Sequence, residues 1–148
     1  MKKRTPRPLV NPMAVIAART RLTESEHDAY ALPAHLYLAI VLDGKADDAV
    51  ALAMTRHLVM LQIVAADQQN RPLYDMTAKA IQHWQRASEL AYQRGTSPDL
   101  STTAKRLLTQ CICDWDYVLS RATIGLLSGA ARRWQEIEAQ FSPSQAAA

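Results

Sequence analysis

The side chains best suited to chemistry in this chain are four histidines, His27, His35, His57 and His83, two cysteines, Cys111 and Cys113, and two aspartates, Asp114 and Asp116, on either side of Trp115. A helical zinc site of the H-E-x-x-H kind needs histidines four residues apart, because that spacing puts both rings on one face beside a carboxylate. None of the four histidines has such a partner. His57 falls on an apolar stripe and reads as a core or rim histidine with one hydrogen bond, its protonation tuned by burial. His83, at the edge of another stripe, reads the same way. Paired carboxylates can divide acid and base work, but two residues along a helix is a rotation of about 200°. Asp114 and Asp116 therefore diverge to opposite flanks, where a solvated position is expected of each.

The same rotation separates Cys111 from Cys113, which neither pair nor share a metal on an intact helix. Cys113 projects away from the apolar stripe with Arg106 and Tyr117 and has no neighbouring His or Lys to activate its thiol, so burial against another element or subunit is expected. Two cysteines fit a reducing cytoplasm. The sequence holds no P-loop, no dinucleotide glycine fingerprint and no nucleophile elbow. No catalytic residue, metal ligand or cofactor is assigned, and a non-enzymatic protein is expected.

Charge is concentrated at one end. Residues 1–21 carry Lys2, Lys3, Arg4, Arg7, Arg19 and Arg21 and no acid, whereas the remainder has 11 cations and 14 acids. The sequence pI of about 9.0 therefore describes an N-terminal arm on a slightly acidic body, not a uniformly basic surface. In KKRTPRPLVNP, Lys2–Pro12, the prolines favour an extended backbone that spans roughly 28 Å over residues 2–10. The four cations of the arm could meet phosphates, giving a salt slope of about −3.6 on duplex DNA. Arg132 and Arg133, with Arg121 nearby, form a second small basic cluster. The bland reading of the arm is a solvated tail.

The elements that must position these residues are helical. Four glycines in 148 residues and no convincing alternating pattern argue for an all-α chain. Asn11-Pro12 is a helix start by capping and by the first-turn preference of proline, with that helix ending near Arg19. Thr23 and Glu26 have capping-box spacing, but Pro33 limits a helix begun there, so the second helix is expected from about Pro33 to Asp43-Gly44. DDAVALAMTRHLVMLQIVAADQQ carries apolar residues at 50, 54, 58, 61 and 65 and an almost opposite set at 52, 59, 63 and 66, which predicts a central helix packed on two faces. Leu73–Arg94 repeats Leu73, Met76, Ala80, Trp84, Ala87 and Ala91 before the stop at Gly95. A long helix from about Ser101 has the clearest stripe, Ala104 through Ala122. TIGLLSG is ambiguous, with small-xxx-small spacing that marks close packing or a break, and AARRWQEIEAQ reads as a terminal helix. The expected architecture is a single-domain antiparallel bundle of five or six helices, with an arm at 1–10, a helical domain at 11–141 and a flexible tail at 142–148. The longest stretch free of Asp, Glu, Lys and Arg, Ala29–Leu42, is too short for a bilayer, and TPRPLVNP interrupts any signal-peptide core. A cytoplasmic protein with no membrane segment is expected.

TPRPLVNPMAVI, followed by helices and TAKAIQHWQRASELAYQRG, resembles small all-helical proteins of unknown function encoded by temperate phages and proteobacterial mobile elements. The resemblance rests on the arm with Arg7-Pro8, running into Asn11-Pro12, and covers most of the chain. It implies a phage or prophage setting in which small proteins bind a host or phage macromolecule. Two functions follow as expectations. The first is a non-enzymatic helical interaction protein that binds a protein partner, or itself as a homodimer, and modulates host processes or defence. The second is a nucleic-acid-binding regulator in which Lys2, Lys3, Arg4, Arg7, Arg19, Arg21, Arg132 and Arg133 hold DNA, RNA or an acidic partner.

Overall fold

Asn11 caps the first helix as its chemistry requires: the side-chain Oδ1 accepts the Met13 N–H at 3.0 Å, and Pro12, with no N–H to satisfy, stands in the first turn. The computed structural model describes residues 11–141. The arm expected at 1–10 and the tail expected at 142–148 lie outside the described residues. Six helices follow one another: α1 Pro12–Arg19, α2 Glu24–Leu42, α3 Asp48–Asp67, α4 Arg71–Arg94, α5 Thr102–Arg121 and α6 Ile124–Phe141. The chain is an all-α helical bundle. Among the described residues there is no strand, only one isolated antiparallel bridge between Arg21 and Thr123.

The second helix starts nine residues earlier than the proline suggested, at Glu24 instead of Pro33. The capping box forms in full, the Thr23 hydroxyl accepting the Glu26 N–H at 3.2 Å and Glu26 accepting the Thr23 N–H at 2.8 Å. Pro33 lies inside the helix, where a proline costs about 3 kcal/mol by losing one bond and crowding the carbonyl four residues back. Tertiary contacts offset that cost. Ala31, Ala34, Leu38 and Val41 are buried, and the Tyr30 carbonyl accepts the Trp115 indole N–H from α5 at 3.4 Å.

Asp47 caps α3, its Oδ1 accepting the Val50 N–H at 2.9 Å. This helix packs against α2, α4, α5 and α6, the central position that its two apolar faces predict. The second face is covered only in its middle, however. Val59 and Ile63 are half-buried, while Leu52 and Ala66 at its ends are exposed. By length and mean hydropathy (1.6) α3 is the one described helix apolar enough to cross a bilayer, and such a helix is also what a bundle places at its centre. Asn70 caps α4 by accepting the Leu73 N–H at 3.2 Å, and Gly95, at φ 64°, ends it in the left-handed conformation that a residue without Cβ adopts freely.

Ser101 caps α5 through its hydroxyl, 3.1 Å from the Ala104 N–H. The predicted stripe is buried at Ala104, Leu108, Cys111, Ile112, Trp115, Val118 and Leu119, and full burial of each large apolar side chain contributes about 1.5–3 kcal/mol. TIGLLSG is not a break. Helix α6 runs through it from Ile124, with the Thr123 hydroxyl accepting the Leu126 N–H at 3.2 Å. Gly125 is where α1 crosses: a Cβ there would stand 3.0 Å from the Ala18 nitrogen. The crossing and the Arg21–Thr123 bridge together make α1 antiparallel to α6. No residue of α1 is buried. One core runs through α2 to α6, with Trp84, Trp115, Met54, Leu58 and Leu61 among its largest members.

Candidate functional site

Three features stand out among the described residues: a polar contact between α2 and α5, a cleft among four helices, and an exposed apolar face on α2. The polar contact joins residues far apart in sequence. His27 and His35 lie two turns apart on α2, and both meet Asp116 of α5. The His35 Nε2 is 2.7 Å from Asp116 Oδ2 and the His27 Nε2 is 3.4 Å from the Asp116 carbonyl. His27 Nδ1 lies 3.3 Å from Asp28 Oδ1. Asp116 is therefore not the merely solvated flank that the sequence suggested. Its second oxygen, Oδ1, is buried with no hydrogen-bond partner among the described residues. His35 and Asp116 are each about 40% exposed (42% and 40%), which keeps the worth of the pair to about 1 kcal/mol or less. Asp114, on the other flank, accepts a hydrogen bond from Gln110 at 3.1 Å. No group of three or more His, Cys, Asp and Glu among the described residues is arranged to hold a metal.

The cleft has a volume of about 470 Å³ and opens among α2, α3, α5 and α6. Tyr30 and Tyr37 come from α2, His57 from α3, Trp115 from α5 and Trp134 from α6. Helical spacing on four separate elements brings these rings to one place, because each stripe faces the same core. His57 is half-buried, and its Nδ1 lies 2.8 Å from the Ala53 carbonyl one turn back. The ring stands edge-on to Trp115, with 6.3 Å between centroids, and tilted against Tyr37 at 5.8 Å. Burial holds its pKa below the ordinary 6.5; the Ala53 hydrogen bond opposes the shift and the Arg56 charge adds to it. A neutral ring donating from Nδ1 leaves Nε2 as an acceptor. Arg56 and Glu138, both exposed, bring one charge of each sign to the same cleft.

On α2 the side away from the core is also apolar. Leu32 and Leu36, one turn apart, are 65% and 59% exposed, between exposed Ala29 and Ala39 and with Asp28 and Asp43 at the ends. The small apolar helix α1 adds exposed Met13, Val15 and Ile16 elsewhere on the surface.

The described basic residues do not form one surface. Lys2, Lys3, Arg4 and Arg7 lie outside the described residues. Arg19 and Arg21 are exposed at the end of α1, beside the start of α6. Arg132 and Arg133 lie on α6 beyond the crossing at Gly125, about 10 Å or more along the axis at ~1.5 Å per residue. Arg133 is held by Asp67 of α3 at 3.0 Å, and Arg121 stacks over the Tyr117 ring at 4.6 Å; Arg132 is exposed. The cysteines separate as their spacing requires. Cys111 is buried, and burial first, then the Asp114 charge, pushes its thiol up to about 12 against a hydrogen bond to Thr77. Cys113 is exposed, so no other element among the described residues covers it.

Sequence reasoning named His57 and its partial burial but missed the His35–Asp116 pair and the cleft. The signal for the pair was faint: two histidines eight residues apart, hence about 80° apart around a continuous helix. It became readable only once α2 was known to run unbroken through Pro33. Comparison with protein-family models, curated proteins and solved structures finds no match to this chain.

Proposed function

We propose that this chain is a non-enzymatic helical interaction protein that binds a protein partner through the outward face of α2, in the phage or prophage setting its resemblance implies. The observation that supports this reading is the exposed pair Leu32 and Leu36, flanked by exposed alanines. A helix apolar on both sides ordinarily lies in an interior, and an apolar patch rimmed by polar residues marks an interaction site. The partner is a host or phage protein whose binding modulates host processes or defence.

Charge reversal on this face tests the reading. Leu32→Glu with Leu36→Glu places both carboxylates in solvent, so the unfolding midpoint is expected to stay within a few degrees of the parent while a partner captured by the parent from a bacterial lysate is lost. Capture of the same protein in equal yield by the double variant would sink the proposal. A second reading, nucleic-acid binding, is favoured by the direction of α1, which runs back along α6 so that its start is directed toward the part carrying exposed Arg132. In that reading the cations preceding Asn11 and Arg132 act on one phosphate backbone, and equal binding by the full chain and by a chain beginning at Asn11 removes the arm from it.

A further inference from the structure

We infer that the cleft among α2, α3, α5 and α6 binds a neutral, flat aromatic small molecule carrying an N–H or O–H donor, which the Nε2 of His57 accepts. This site adjoins the α2 face at Ala29 but includes neither Leu32 nor Leu36, and it stands or falls independently of that face.

Four observations lead there. The cleft's volume of about 470 Å³ lies in the range of roughly 300–1,000 Å³ that small-molecule sites occupy. Its lining is aromatic beyond what a packing defect between helices requires: Tyr30, Tyr37, Trp115 and Trp134 surround the space with His57. Trp115 and Trp134 are almost wholly buried and form a floor, while the half-buried tyrosines and His57 form walls. Such walls favour a flat ring, by offset stacking or edge-to-face contact.

One polar group inside the cleft, the His57 ring, calls for a donor. His57 Nδ1 is bonded to the Ala53 carbonyl of its own helix, which turns Nε2 away from the α3 backbone, and Nε2 has no hydrogen-bond partner among the described residues. An occupant that brought only acceptors would leave Nε2 unsatisfied, whereas one N–H or O–H answers His57 directly.

The charges in the lining argue for a neutral occupant. Arg56 and Glu138 contribute opposite signs, both from exposed positions. A free anion would gain from one and lose to the other.

The test uses the full chain and two probes that differ in one donor, indole and 1-methylindole. In two-dimensional NMR titrations, indole is expected to give saturable shifts at Ala53, at the His57 ring and at the Trp115 and Trp134 indole N–H signals. 1-Methylindole, which keeps the ring and loses the N–H, is expected to bind about threefold to tenfold more weakly, the worth of one neutral hydrogen bond. His57→Phe preserves a flat ring without an acceptor and is expected to abolish that preference. Ala49→Trp, at an exposed position of the lining in the first turn of α3, is expected to block both probes while leaving the core intact; it keeps the question decidable should His57→Phe fail to fold. Shifts that do not saturate, that map away from the cleft, that are equal for the two probes, or that survive Ala49→Trp would overturn the inference.

Discussion

The imidazole of His57 sits against Trp115 and Tyr37 with its Nδ1 tied to Ala53, and its surroundings make its protonation costly. Burial is the largest cause of its lowered pKa. Tyr30 and Tyr37 from α2, Trp115 from α5, Trp134 and Glu138 from α6, and Arg56 from α3 share its cleft. Because the folded value lies below the ordinary 6.5, the unfolded chain takes up a proton that the folded chain refuses. The contribution of His57 is therefore complete above about pH 6.5 and is lost as pH falls through the folded value. Urea midpoints across roughly pH 5–8 are expected to fall on the acid side, and His57→Phe is expected to flatten part of that fall. An unchanged slope in the variant would mean that the ring is protonated equally in both states. His57 was legible at this scale because it shares a stripe with Met54, Leu58 and Leu61. Asp116 was not, because its partner lies 81 residues away on another helix.

Between elements, the Gly125 crossing is the tightest device. Its missing Cβ would meet backbone atoms of Ala17 and Ala18 at 3.0–3.2 Å, and backbone cannot rotate aside as a side chain can. Alanine at this position nevertheless raises helix propensity by about 1 kcal/mol. The two effects fall on different elements, since α1 has no buried residue and can shift as a unit. Gly125→Ala is accordingly expected to leave the global unfolding midpoint within a few degrees of the parent and to abolish amide-exchange protection in α1 beyond that of a free peptide. Hydrogen exchange resolved at residues 13–19 checks this; retained protection would mean that α6, not α1, absorbs the clash. Capping side chains stand at five helix starts, Asn11, Thr23, Asp47, Asn70 and Ser101. Of these, the starts at Asn11 and Ser101 and the Thr23–Glu26 spacing were legible in the sequence, whereas Asp47 and Asn70 were not named as caps. The expectation at Pro33 failed because a local rule met tertiary compensation, the core contacts of α2 and the Trp115 bond to the Tyr30 carbonyl.

For the whole molecule, charge and fold are divided along the chain, with six cations and no acid before residue 22 and a small acidic excess after it. If the arm holds duplex DNA through Lys2, Lys3, Arg4 and Arg7, the full chain is expected to show a log–log salt slope steeper by about 3.6 than a chain beginning at Asn11. Binding measured at several salt concentrations checks it, and identical slopes would free the arm of that role. The truncated chain keeps the core residues of α2 to α6. What the sequence determined by itself is the helical class, the helix starts at Asn11 and Ser101 and the apolar stripes of α3, α4 and α5, because 3.6-residue periodicity and first-turn hydrogen bonding are local properties of the chain. Which stripes meet was decided only in the folded state. The Asp116 contact with His35, the five-ring cleft, the Asp67 hold on Arg133 and the uncovered face of α2 all depend on how helices pack, and packing is set by the shape of the whole core, which no single stretch of sequence carries.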